Sequence, residues 1–167
     1  MKKYFVLLIS SMLIISCSKT TDQDYLTQAQ KSLSENKVDQ AIKSIESLLN
    51  DYPDSKLAPK ALSQLASIYQ NQLVKNINPN ESFRLAQKYF TEVYEKYPTS
   101  EEAPKSLFLC GFILSNNLRN YDEATTHYKL FLSKYPDHPL AVSAQEELDN
   151  MGLTPEEILK RTETAKK

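Results

Sequence analysis

Glycine occurs only twice in the 167 residues, tryptophan not at all, and histidine and cysteine twice each. So little glycine argues against sheets joined by tight hairpins, whose turns need left-handed backbone angles. It also leaves no glycine-rich loop to cradle a phosphate. Neither His127 nor His138 has a ligating neighbour at i+3 or i+4, so no metal site is expected. His138, between Asp137 and Pro139, reads as a turn cap, and His127 as a residue on the solvent side of a helix. No serine lies in a nucleophile-elbow motif. The acid pairs Glu101-Glu102 and Glu156-Glu157 fall where helices start, where they complement the helix dipole rather than perform acid–base work. The chain therefore reads as a non-enzyme, with no cofactor and no small-molecule substrate.

What is plentiful points to helices joined by short turns: alanine, leucine, lysine, glutamate, glutamine and serine. Cys110 lies in Leu107-Phe108-Leu109-Cys110-Gly111-Phe112 and reads as a small buried hydrophobe, against the alternative of a reactive thiol. Cys17 sits differently. It follows Met1-Lys2-Lys3, an apolar run of 12 residues from Tyr4 to Ile15, and Ser16. A run of that length falls short of the roughly 20 residues needed to span a bilayer, but suits the core of a signal peptide.

Ile14-Ile15-Ser16-Cys17 resembles the lipobox of a bacterial lipoprotein signal at every place. The resemblance implies cleavage before Cys17, a fatty acyl chain such as palmitate on its new amino group, and a diacylglyceryl thioether on its sulfur. Ser18 does not resemble the aspartate that retains some lipoproteins at the inner membrane, so the expected place is the periplasmic side of the outer membrane. Loss of residues 1–16 leaves 151 residues, enough for one domain, with 18 basic against 21 acidic side chains. That balance gives no counterion-release drive toward nucleic acid. Nor does it provide a basic face for anionic lipid, so acyl chains must hold the protein on its membrane. A lipidated Cys17 leaves Cys110 no partner for an intrachain disulfide. Residues 17–23 then form a lipidated polar tether.

Three Tyr-Pro dipeptides, at Tyr52, Tyr97 and Tyr135, lie 45 and 38 residues apart. Residues 52–62 read YPDSKLAPKAL and residues 97–107 read YPTSEEAPKSL, identical at seven of eleven places; residues 135–145, YPDHPLAVSAQ, match the first at six. Proline ends a helix and turns the residue before it away from helical angles. Ser55 and Ser100 then offer N-cap oxygens, and Pro59 and Pro104 are tolerable in a first turn. Before each Tyr-Pro, apolar residues recur at helical spacing: Ala41, Ile45, Leu48 and Leu49; Ala86, Phe90, Val93 and Tyr94; Ala124, Tyr128, Phe131 and Leu132. A further helix precedes each, across turns at residues 35–37, 76–80 and 117–122. Asn36 and Asn120 are the residues expected to take left-handed angles there.

The pattern resembles the tetratricopeptide repeat, a helix-turn-helix unit of about 34 residues. Its large-then-small A-helix places hold Tyr25 and Ala29, Leu62 and Ala66, then Leu107 and Gly111, and its B-helix alanines are Ala41, Ala86 and Ala124. The resemblance implies an all-α fold, an α-solenoid of about three helical hairpins over residues 24–150. The small A-helix residues should face the B-helix alanines. A helix from about Pro139 to Asn150, polar at Gln145, Glu146 and Asp149, should cap the end. Residues 151–167 should form a short helix, capped at Thr154 with Pro155 following, and a tail.

The same resemblance places the A helices on the partner-facing side. The candidate contact residues are Lys60, Ser63, Ser67 and Asn71 in the second unit, and Lys105, Phe108, Phe112 and Asn116 in the third. The third A helix is apolar nearly all round, so Phe108 and Phe112 are either core or contact surface. The Tyr-Pro-x-Ser-x-x-Ala-Pro-Lys pattern is similar to the tetratricopeptide lipoprotein group of the β-barrel assembly machinery. It is also similar to the Tol-Pal-associated cell-division coordinators. These resemblances imply a lipid-anchored scaffold for envelope proteins. The competing functions are capture of peptides or partners, and an accessory subunit of an envelope enzyme.

Overall fold

Tyr-Pro corners and short polar turns divide the chain into antiparallel rods. The computed structural model describes residues 19–164, so the expected signal segment and Cys17 lie outside the described residues. Among the described residues the secondary structure is entirely helical. The helices are α1 (Asp22–Ser34), α2 (Val38–Asp51), α3 (Ala58–Gln70), α4 (Pro79–Lys96), α5 (Glu102–Phe112), α6 (Tyr121–Lys134), α7 (Ala141–Asn150) and α8 (Pro155–Thr164). A π-helical stretch, Ile113–Asn117, prolongs α5. Hairpins α1–α2, α3–α4 and α5–α6 stack in order, each helix against the next, and α7 packs on α6. This is an α-solenoid of three helical hairpins with a further helix over its last face.

Helix starts carry their own signals. Thr21 and Asp24 form a reciprocal capping box on α1, which begins two residues before the repeat region was expected to start. The Thr21 amide and hydroxyl hold the Asp24 carboxyl below its ordinary range. Asn78 caps α4 and Pro79 opens it. Thr154 and Glu157 form the corresponding pair ahead of α8. Ser55 and Ser100 do not occupy the N-cap positions expected of them; Leu57 and Glu101 do, without a side-chain cap. The Ser55 hydroxyl accepts from the Leu57 amide at 3.0 Å inside the corner itself, whereas the Ser100 hydroxyl is buried without a partner. Proline inside the first turn leaves fewer free amides to cap, and Ser55 serves the corner instead.

The A helices α1, α3 and α5 each stop on a left-handed residue: Asn36 (φ 56°), Gln72 (φ 53°) and Arg119 (φ 53°). After α1, the Lys37 amide reaches back to the Ser32 carbonyl at 2.7 Å and the Asn36 amide to Leu33 at 3.0 Å. The Leu73 and Gln72 amides do the same to Ile68 and Tyr69. This pairing satisfies carbonyls that the helix end would otherwise strand. The expectation for Asn120 is corrected: its φ is −92° and it caps α6, its side-chain oxygen accepting from the Glu123 amide. The π stretch shifts the pairing after α5 by one residue, with the Asn120 amide reaching Leu114, and that puts Arg119 in the left-handed place.

The core is continuous because α3 and α5 each serve two hairpins. Leu26, Ala29, Ala41, Ile45 and Leu48 pack with Ala58, Ala61, Leu65 and Ile68 of α3. The opposite side of α3 gives Ala66 to a cluster with Ala86, Phe90, Cys110 and Ile113. Leu107, Phe108, Leu114, Ala124, Tyr128, Phe131 and Ala144 close the third hairpin under α7. Ala29 and Ala66 share clusters with Ala41 and Ala86 as the spacing implies. Gly111, however, lies against the Tyr128 ring, with no room for a methyl: a Cβ there would sit 2.9–3.1 Å from three ring atoms.

Two substitutions test this account. Gly111→Ala is expected to lower unfolding stability by roughly 1–3 kcal/mol, since the fully buried Tyr128 has nowhere to move. Arg119→Gly should raise it, by up to about 1 kcal/mol, by relieving a left-handed non-glycine residue. Both are read from denaturant midpoints at constant slope.

Candidate binding surface

The A helices present one free side each, and their residues repeat in register. Lys60, Gln64, Ser67 and Asn71 follow the i, i+4, i+7, i+11 spacing of one helical face on α3. A 45-residue shift carries them onto Lys105, Leu109, Phe112 and Asn116 of α5 and its π extension. In both rows the end residues are exposed and the two middle ones half-buried. On α1 the same spacing gives Gln23, Thr27, Gln30 and Ser34, all exposed. No acid occurs in any of these rows. Amides and hydroxyls dominate, two lysines stand at matching places, and only the third row carries large apolar groups.

Six of the eight residues singled out from the sequence as contacts lie in these rows. The other two are displaced by one position. Phe108 is only 9 % exposed and packs edge-on against Tyr128 and Phe131, with ring centroids 5.7 and 5.9 Å apart. It is a core residue, and Leu109 takes its place in the row. Ser63 is likewise flanked by Gln64, whose side-chain oxygen is buried without a partner. The reason is helical phase: α5 buries more than half its circumference, so the free side narrows toward Lys105, Leu109 and Phe112. Phe112 itself is half-buried and leans on the third core cluster.

Within the rows, polar groups partly satisfy one another. The Ser67 hydroxyl donates to the Ser63 carbonyl at 2.9 Å and the Asn71 amide to the Ser67 carbonyl at 2.8 Å. Asn116 donates to the Phe112 carbonyl and, at 3.2 Å, to Glu147 of α7. That contact marks where the acid-free rows end. Beyond it a groove of about 550 Å³ is bounded by Ser115, Asn116, Arg119, Ser143, Glu147 and Asn150, among others. A second groove, about 610 Å³, opens at the corner end of α3 and α5 beside Lys56, Lys60, Lys96 and Tyr97.

Among the described residues the cysteine and the two histidines are engaged within the fold. Burial pushes the Cys110 thiol up to about 12, and its sulfur sits 3.4 Å from the Thr91 hydroxyl, so it stays protonated at neutral pH. The expectation that His127 faces solvent is overturned: it is 9 % exposed, edge-on to the Tyr94 ring. A carbonyl oxygen can only accept, so the nitrogen 2.9 Å from Glu123 O carries the proton. Nε2 then accepts from the Tyr94 hydroxyl at 3.3 Å, and burial holds that hydroxyl protonated by raising it to about 12. The pair ties consecutive B helices together, a contact between residues far apart in sequence that local pattern does not announce. His138 accepts from the Leu140 amide, capping its turn. Among the described residues no group of histidine, cysteine and acid side chains could hold a metal ion.

Residues 25–55 and 105–138 match the tetratricopeptide repeat family. These segments contain most of hairpin α1–α2 with its Tyr-Pro corner, and most of hairpin α5–α6 with the next. No curated protein matches the chain. These two stretches are thus similar to tetratricopeptide repeats, a family of typically non-catalytic stacks whose surfaces receive protein partners.

The division between core and surface gives a direct test. Phe108→Ala should cost about 3–5 kcal/mol of unfolding stability. Lys105→Ala should cost no more than about 0.5 kcal/mol, as a surface change. Chemical denaturation distinguishes the two.

Proposed function

We propose that the protein is a lipid-anchored scaffold of the cell envelope that binds protein partners on its A-helix rows, in the assembly of outer-membrane proteins. The observation that carries this reading is the repetition of one acid-free row across successive hairpins, which offers a partner a continuous strip of donors and lysines. Leu109 and Phe112 supply an apolar anchor at its end, and Lys60 and Lys105 suit a partner bearing acidic groups. The anchor would be Cys17, through acyl chains that concentrate the protein on the periplasmic face of the outer membrane. Among the described residues no helix is long and apolar enough to cross a membrane. The amide-rich rows also favour a second reading, capture of extended peptide segments, whose backbones such side chains can pair.

The discriminating experiment is recovery of partners from detergent-solubilised membranes with the full chain as bait. A β-barrel core protein recovered in stoichiometric amount supports assembly. A stoichiometric enzyme would replace that role with an accessory one, and loosely held peptides alone would favour capture. The variant Lys105→Glu, at an exposed place in the third row, is expected to weaken recovery of the partner while its helical signal and melting stay near those of the parent. Undiminished recovery would remove the third row from the surface.

A further inference from the structure

The residues just after Cys17 are tied to the first Tyr-Pro corner. The Tyr52 hydroxyl donates to the Thr20 carbonyl at 2.8 Å, across 32 residues of chain. The Ser55 hydroxyl donates to the Asp22 carboxylate at 2.5 Å. The Lys19 ammonium stands 5.1 Å from the centre of the Tyr52 ring, within cation–π range. The Tyr25 ring leans on the same ring at 6.4 Å, and its hydroxyl donates to Asp51 at 2.9 Å. Both of the first corner's hydroxyls, Tyr52 and Ser55, are thus engaged by the chain where it enters α1. The second corner is built from the same Tyr-Pro-x-Ser residues and uses its tyrosine in the same way, but not its serine. Tyr97 donates back to the Pro53 carbonyl at 2.9 Å, and the Ser100 hydroxyl is left unpaired.

This has a mechanical consequence that rests on the anchoring reading above. From Cys17 to Thr20 is three residues, a reach of at most about 10 Å even when fully extended. A tether that short keeps the start of α1, and with it the first corner, within about 10 Å of the bilayer. All the Tyr-Pro corners lie at the same end of the antiparallel helices as the start of α1, and the A–B turns lie at the other. The two edges are about 20 Å apart along the 13 residues of α1. We propose that the first Tyr-Pro corner is a clasp that sets the protein's orientation on its membrane, with the edge bearing Pro53, Asp54 and Lys56 facing the lipid surface and the edge bearing Asn36 and Lys75 facing away. The helices then stand upright on the bilayer, and the A-helix rows open sideways, toward partners lying along the same membrane.

The test uses the full chain, lipidated in a bacterial host and reconstituted into phosphatidylethanolamine–phosphatidylglycerol vesicles with a fraction of headgroup-spin-labelled lipid. A fluorophore is attached at Asp54→Cys or Lys75→Cys, both exposed positions; Cys110 is fully buried and inaccessible to the reagent. The mass of each preparation is measured first. With the lipid mass present, quenching several-fold greater at position 54 than at 75 is expected. Adding Tyr52→Phe with Ser55→Ala removes the clasp's hydrogen bonds but keeps the ring, and should narrow that difference while the helical signal holds. Equal quenching at the two positions in lipidated protein overturns the orientation and leaves the anchoring intact. A difference that survives loss of the hydrogen bonds overturns the clasp as its cause. A mass without lipid overturns the anchoring reading, and this inference with it.

Discussion

The corner between one hairpin and the next is the constraint on which the rest of the molecule depends. Proline forbids the B helix to continue, and the tyrosine before it leaves helical angles, with φ −138° at Tyr52, −127° at Tyr97 and −134° at Tyr135. The near-identity of these values means that each hairpin is handed to the next in the same way. The first two tyrosines also reach back with their hydroxyls to the backbone ahead of their own hairpin, Tyr52 to Thr20 and Tyr97 to Pro53. Tyr135 instead packs its ring on Phe131. A hydrogen bond between corners fixes the offset of neighbouring hairpins, and the offset decides which apolar residues meet.

Given that offset, the core follows from ordinary burial. An isolated hairpin cannot hide both faces of its A helix, so α3 and α5 shield apolar groups on two sides. Alanines at helix crossings let backbones approach, and the large side chains Ile45, Phe90 and Tyr128 fill the space between. The third hairpin is the most aromatic, with Phe108, Tyr128, Phe131 and His138 in edge contact and Tyr135 tilted against Phe131. Gly111 is required there because a ring, not a methyl, lies opposite. The π stretch beyond it lets the helix run on until Asn116 meets Glu147 of α7.

A stack of this kind leaves function to whatever its free sides carry. The A-helix rows lack acids, end in an apolar pair, and repeat with the hairpins, all of which suits a polypeptide partner better than a small ligand. The clasp at the first corner adds direction to that surface. Anchoring by a short, tied-down segment would present the rows at a fixed height and angle, which reduces the orientational search that binding otherwise entails.

The chain's order of hairpins and its helical class were legible in the sequence, because proline, alanine spacing and amphipathic period act locally. Asn36 could be assigned its left-handed turn for the same reason. What tertiary structure alone decided were matters of helical phase and distant contact. Phe108 went to the core and Leu109 to the surface because α5 is buried on more than half its circumference, a fact set by α6 and not by α5. Arg119 rather than Asn120 became left-handed because a single π turn shifted the helix end by one residue. His127 was buried by Tyr94, 33 residues away, and Ser55 was claimed by Asp22, 33 residues before it. Such assignments depend on which side chains the folded neighbours bring within reach, and no local pattern contains that information.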